Sequence, residues 1–257
     1  MWKRSFFLCL SLLTGACATG MRTADGERPG GTIALQRTAL DPRNGGQLVE
    51  STALRSGDIL LSSAPSLTSA GVQLLTLAPV SHALVYVGGG RVVEAVGQGV
   101  RERAIAEVLE EESVVVAFRH PRMNDQYAMR IANFSRLQVG KRYDHFGIVL
   151  QAPFTLERRL CELPLMPSLV RDLCIRGIGA IQMGVASKDR FFCSQLVLEA
   201  YRQAELPLTD ANPRLLSPRD ILHMREGDVP SVRTHDALTY VGHLKFRAPA
   251  VDTTARD

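Results

Sequence analysis

The chain is marked first by what it lacks. It has no internal repeat and no low-complexity tract, which sets aside solenoids and fibrous arrays. No Lys/Arg-rich tract carries interleaved aromatics, and the formal net charge is only +4 over 257 residues. That balance gives no electrostatic footprint for nucleic acid. No CxxC pair and no His/Cys cluster has zinc-ligand spacing, and His120, His145, His223, His235 and His243 are scattered without metal-like spacing. The sequence therefore calls for no metal and no cofactor. The apolar run near the start, Ser5 to Leu13, is too short to cross a bilayer as a mature helix.

What is present begins with a targeting segment. Met1-Trp2-Lys3-Arg4 is a basic n-region, Ser5–Leu13 a short h-region, and Thr14-Gly15-Ala16-Cys17 a run of small residues before a cleavage point. The Leu-Thr-Gly-Ala-Cys ending resembles a bacterial lipobox, with Cys17 as the lipidated residue. The fit is imperfect, because the bulky aliphatic, Leu13, sits one place further upstream than usual. Ala16-Cys17-Ala18 also fits ordinary secretion to the periplasm. Lipidation at Cys17 would hold the protein to a membrane surface without a spanning helix, and Ala18 suits outer-membrane sorting. Removal of residues 1–16 lowers the charge from +4 to +2.

The expected organisation is a signal peptide over 1–16, a lipidated and flexible tether over 17–52, one domain over 53–247, and a tail over 248–257. The tether is inferred from Met21–Ser51, which is rich in Gly, Arg, Thr and Asp and has no apolar period. Within the domain, residues 145–186 are apolar and broken by Pro153, Pro164 and Pro167. They read as a helical insertion or lid, or as extra core.

Five cysteines occur. Cys9 leaves with the signal and Cys17 carries lipid. In an oxidising compartment Cys161 and Cys174 can pair and leave Cys193 free; equally, all three can be reduced and buried. Cys193 opens an amphipathic stretch in which Leu196, Val197, Ala200 and Tyr201 recur at helical spacing. In the first turn of that helix, unpaired backbone N–H groups and the helix dipole favour a thiolate. Cys193 is thus a candidate nucleophile, although a small buried apolar residue fits the same stretch.

A second candidate comes from a hairpin. Val80-Ser81-His82-Ala83-Leu84-Val85-Tyr86-Val87 is a β-prone run, Gly88-Gly89-Gly90 turns it, and Arg91–Val96 returns. With all three glycines in the loop, Val87 faces Arg91 and Leu84 faces Glu94, and His82 and Glu94 share a face on a diagonal. Glu94 can then bond one ring nitrogen of His82 and set its tautomer. A two-residue loop would turn Glu94 to the other face. The other elements expected are a strand at Ile59–Leu61, a helix over Ser66–Leu77, loop and short helix over Gln98–Glu112, and a buried strand over Ser113–Arg119. After these come a helix over Asp125–Leu137, a short helix beginning near Ser217, and a last strand over Thr239–Arg247. Asp58 reads as a turn residue.

Together these residues resemble a known family. Tyr143-Asp144 and Phe192-Cys193-Ser194-Gln195-Leu196-Val197 are similar to the cysteine half of NlpC-type papain-like hydrolases. Gly57-Asp58-Ile59-Leu60, Ser81–Gly88 and Val93-Glu94-Ala95 are similar to their histidine half. The halves come in reversed order, as in the circularly permuted YiiX/YaeF-like amidases, several of which are lipoproteins. The resemblance covers about Arg55–Asp220 without the stretch over 146–186. Phe192 and Gln195 depart from the parent pattern, which has an aspartate before the cysteine and a glycine after the serine.

The resemblance implies an α+β papain-like fold, with an antiparallel sheet or small barrel packed on the nucleophile helix. It implies Cys193 as nucleophile, His82 as general base, Glu94 as the residue that orients His82, and Tyr143 as an active-site hydroxyl that helps hold the oxyanion. The activity it implies is amide hydrolysis in the cell envelope, on a peptide or an amino-acid conjugate. Related permuted proteins act on lipids as acyltransferases or phospholipases, which gives a lipid substrate as the second reading. A non-catalytic envelope binding module is the third.

Overall fold

A computed structural model describes residues 19–22, 32–37, 39–40, 46–64, 79–143, 161, 166–167, 169–175 and 190–246. Its centre is a six-stranded sheet in the order β10–β7–β3–β4–β5–β6, every neighbouring pair antiparallel. The strands are β3 (Ile59–Ser63), β4 (His82–Gly88), β5 (Arg91–Val96), β6 (Gly99–Ala104), β7 (Val114–Arg119) and β10 (Thr239–Phe246). Two short pairs lie outside it: β1 (Thr19–Arg22) with β2 (Thr32–Leu35), and β8 (Arg142–Tyr143) with β9 (Arg190–Phe191). The helices are α1 (Ile105–Glu111), α2 (Asp125–Leu137), α3 (Cys193–Gln203) and α4 (Pro218–Leu222). The class is α+β, as the sequence implies, and the sheet is open, with β6 and β10 as its edges.

Both faces of the sheet are covered. On one face Ile59, Leu61, Val85, Val93, Val116 and Phe118 pack with Ile131 of α2 and with Leu196, Val197, Ala200 and Tyr201 of α3. On the other, Leu60, Leu84, Tyr86, Val92 and Val115 pack with Ile105 and Val108 of α1. Double coverage explains why β3 is buried at every position and why β7 reads as a continuous apolar run rather than an alternating one.

Turn chemistry fixes how the sheet is entered. Asp58 accepts from the Arg55 N–H and takes both Nε and Nη2 of Arg119, each at 2.7 Å, so the turn residue is also half of an ion pair. Tyr201 of α3 donates its hydroxyl to the Gly57 carbonyl of the same turn, tying the helix to the start of β3. Asn124 caps α2 by accepting from Tyr127 N–H at 2.9 Å.

Three features differ from expectation. The Gln98–Glu112 stretch, expected to be loop and short helix, contains a full edge strand, β6, before α1. The hairpin pairs Gly88, not Val87, with Arg91, with a register irregularity between Tyr86 and Gly88. The supposed tether is part of the fold over residues 32–37, 39–40 and 46–50. Gln36 and Leu40 are buried, and Leu48 bridges to His243 of β10. Arg225 donates to the carbonyls of Leu40, Arg37 and Ala39, Asp228 accepts from Arg37 N–H, and Arg219 donates to Gln36. These contacts are polar and made largely to backbone, so they leave no apolar period. The helix expected over Ser66–Leu77, the tail over 248–257, residues 1–18 and most of the stretch over 145–186 lie outside the described residues; within that stretch, residues 169–175 are helical.

Candidate active site

Cys193 is the first residue of α3, and the residue before it, Phe192, holds the N-cap position in extended geometry. A phenylalanine offers no side-chain acceptor to the first turn, so the donors that Ser, Thr, Asp or Asn would satisfy are left for another group. The Cys193 sulfur takes that place and accepts from the backbone N–H of Ser194 and of Ala83. The helix start is held from behind by the Ser194 hydroxyl, which donates to the Leu216 carbonyl at 2.6 Å. Cys193 is 7% exposed and is the free cysteine of the described residues. Cys161 and Cys174 form a disulfide.

His82 is the first residue of β4, beside Ala83. Its Nε2 lies 2.8 Å from Glu94 Oε2, which leaves Nδ1 for the bond with Cys193. Glu94 reaches it because Leu84 sits opposite Glu94 in the β4–β5 ladder, as the sequence reading placed them. The loop that achieves this is shorter than expected. Gly89 and Gly90 form the turn, both at positive φ, and Val87 is the extra residue that restores the register.

The sequence reading did not find what stands behind Glu94. This carboxylate has no exposed surface, and Oε1 lies 2.8 Å from Arg101 Nε and 2.7 Å from Arg103 Nε, both on β6. Arg103 is itself buried and pairs with Glu111 of α1. The charges thus alternate along a row: thiolate, imidazolium, carboxylate, guanidinium, carboxylate. The one clue in the sequence is that a buried carboxylate requires a cation, and Arg101 and Arg103 lie two residues apart on the strand after it. Glu112, next to this row, is buried, and burial pushes its acid up against the pull of the His82 charge.

The titration follows the geometry. Burial alone would push His82 down, but its bonds to Cys193 and then Glu94 outweigh that and hold it up at about 10. Burial alone would push the Cys193 thiol up; the His82 bond and charge, with the Ala83 and Ser194 N–H groups, bring it below its ordinary value. Glu94 is likewise pushed up by burial and drawn down by His82 and Arg103, to about 2. The arrangement favours a thiolate–imidazolium pair oriented by a buried carboxylate, which can act on an electrophilic carbon and then return a proton.

Tyr143 of β8 pairs with Phe191 of β9, two residues before Cys193, and is partly buried against the main core. A cleft of about 810 Å³ runs along the flank of α3, walled by Phe134, Gln138, Phe191, Gln195, Glu199, Pro207 and residues 209–214. Cys193 is not among its lining residues.

No family model matches the chain. It is 34% identical over 195 residues, 75% of its own length and 71% of the relative's, to the probable lipoprotein peptidase YaeF of Escherichia coli K12. It also aligns with the crystal structure of the metalloprotein yiiX from Escherichia coli O157:H7. There the identity is 17%, over 76% of this chain and 98% of that one, with a TM-score of 0.43, too distant a likeness to bear on the site.

Proposed function

The chain belongs to the family of the probable lipoprotein peptidase YaeF, and from that premise we propose that it is a cell-envelope cysteine hydrolase that cleaves an amide bond of a peptide or amino-acid conjugate. In this reading the fold is a circularly permuted papain-like one, Cys193 is the nucleophile, His82 the general base and acid, Glu94 the residue that orients His82, and Tyr143 an accessory hydroxyl. Residues 1–16 are a signal peptide and Cys17 carries the lipid. The observation that carries the proposal is the continuous hydrogen-bonded row Cys193–His82–Glu94, with the thiol at the start of a helix and the carboxylate buried.

The steps follow from that row. The Cys193 thiolate adds to the scissile carbonyl carbon and forms the C–S bond, while first-turn N–H groups of α3 stabilise the oxyanion. His82 gives its Nδ1 proton to the leaving nitrogen as the C–N bond breaks, which frees an amine and leaves a thioester. Neutral His82 then takes a proton from water, the hydroxide adds to the thioester, and the thiolate departs from a carboxylic acid product. Glu94 stays ionised throughout and holds Nε2–H, so Nδ1 remains the working nitrogen.

The test is the pH dependence of Cys193 alkylation by iodoacetamide. Wild-type protein is expected to be alkylated well below the ordinary thiol range, and His82→Ala to shift the profile to or above it. The same substitution should cost about 10²–10⁴-fold in turnover of any substrate found. Cys193→Ser should abolish turnover and the acyl adduct seen by mass spectrometry. An alkylation profile that His82→Ala leaves unchanged would sink the proposal.

A further inference from the structure

The helix over residues 169–175 is turned inside out for a surface helix of a globular protein. Leu169 is 80% exposed, Leu173 72% and Val170 49%, whereas Arg171 and Ile175 are buried. The Cys161–Cys174 disulfide fastens the inner side, where Cys161 and Ile175 belong to the main core. A short stapled helix that points three aliphatic side chains outward on one side is an interaction surface.

The same helix touches the start of the described chain. Arg171 Nη1 donates to the Thr19 carbonyl at 3.3 Å. One residue, Ala18, separates Thr19 from Cys17. Two residues of fully extended chain reach at most about 7 Å, less than the ~10 Å that seven helical residues span. The residue read as the lipid attachment point is therefore within reach of this helix.

We propose that the outward face formed by Leu169, Val170 and Leu173 lies in the interfacial layer of the membrane that holds the acyl chains of Cys17. This rests on the lipidation reading given above. The acyl chains provide the attachment, and the helix provides a second contact that fixes which side of the domain faces the lipid. Its apolar side enters the headgroup boundary as interfacial helices do, while Arg171 stays on the protein side, bonded to the emerging chain.

The test uses the chain expressed with its own signal and reconstituted in phosphatidylcholine vesicles. The sequence contains one tryptophan, Trp2, within the signal peptide, so Leu173→Trp gives the mature chain a single tryptophan, excited selectively over its tyrosines. Leu169→Trp is the second reporter, and Glu107→Trp, exposed on α1 across the sheet, is the control. In vesicles made with dibrominated lipid the two helix reporters should lose most of their emission and the control none. Equal emission from all three overturns the proposal. A blue-shifted helix reporter that bromine does not quench also overturns it, because a second copy or another protein then covers the face. Intact mass reads the acyl chains separately. If Cys17 is unacylated, the lipidation reading fails by itself, and the contact is read on the same chain held to nickel-chelating vesicles by a histidine tag before Ala18.

Discussion

Between its two ordinary ionisations, the Cys193–His82 pair holds one proton whether the chain is folded or unfolded. Unfolded, the thiol keeps it up to its ordinary value of 9.0 and the imidazole sheds its own above 6.5; folded, the shifts move it from Cys193 towards His82. His82 is raised, so its stabilising contribution is full below 6.5 and is lost as pH rises through about 10. Cys193 is lowered, so its contribution is full above 9.0 and is lost as pH falls through its folded value. Above both 6.5 and the folded Cys193 value the two slopes cancel up to 9.0, and beyond 9.0 stability should fall by up to about 1.4 kcal/mol per pH unit. Glu94 adds a further acid loss as pH drops from 4.5 towards about 2. Thermal melts of the wild type from pH 5.5 to 10 should show the plateau. In Cys193→Ser the thiol and its pull on His82 are both gone, so the alkaline loss above 9.0 should shrink. A wild type that itself declines from pH 6.5 would mean that Cys193 keeps its proton while His82 is charged.

At the scale of elements, β6 does two jobs. Arg101 and Arg103 neutralise Glu94, and Gly99 lets the strand approach the start of β8. Gly99 lies at φ +125°, and a Cβ there would come within 2.6 Å of the Lys141 carbonyl, while Val100 N–H bonds the same oxygen at 2.9 Å. Gly99→Ala should therefore cost about 1–3 kcal/mol and loosen β8, the strand that carries Tyr143; a melting curve and the accessibility of the Tyr143 ring read the two effects. The sequence showed less of this region than of the hairpin. Leu84 opposite Glu94 was legible because alternation and the glycine run define the register. The irregularity at Val87 was not, since nothing in Tyr86-Val87-Gly88 distinguishes a bulge from a longer loop. β6 was hidden because the residues facing Glu94 are arginines: the charges that serve the site replaced the alternation that announces a strand. Cys193 at a helix start was legible from the periodicity after it, but the sulfur's role in the uncapped first turn requires knowing where Ala83 lies.

At the scale of the molecule, the amino-terminal segment is clasped by the carboxy-terminal one. Arg225 holds three carbonyls of residues 37–40 and also pairs with Asp228, which bonds His223. In the sequence this stretch reads as a tether because its partners are polar, distant and addressed to the backbone. Arg225→Ala leaves several buried acceptors and a buried carboxylate without their cation and should cost about 3–5 kcal/mol. Limited proteolysis should then cut near residues 37–40, which the wild type protects, and Arg225→Lys should restore only part of the protection. Unchanged cleavage would show that the segment is held by something else.

That clasp also determines where mechanical load goes. Tension applied at the amino-terminal end meets the bond from Arg171 to Thr19 and the β1–β2 pair before it reaches residues 36, 37, 39 and 40. There it is shared among bonds from Arg219, Arg225 and Asp228, loaded in parallel rather than one after another. It ends on residues 219–231, not on β4 or β5, the strands that hold His82 and Glu94. The arrangement is the strain relief of a cable: a pull from the amino-terminal side stops at the clamp, and the spacing between His82 and Glu94 is spared.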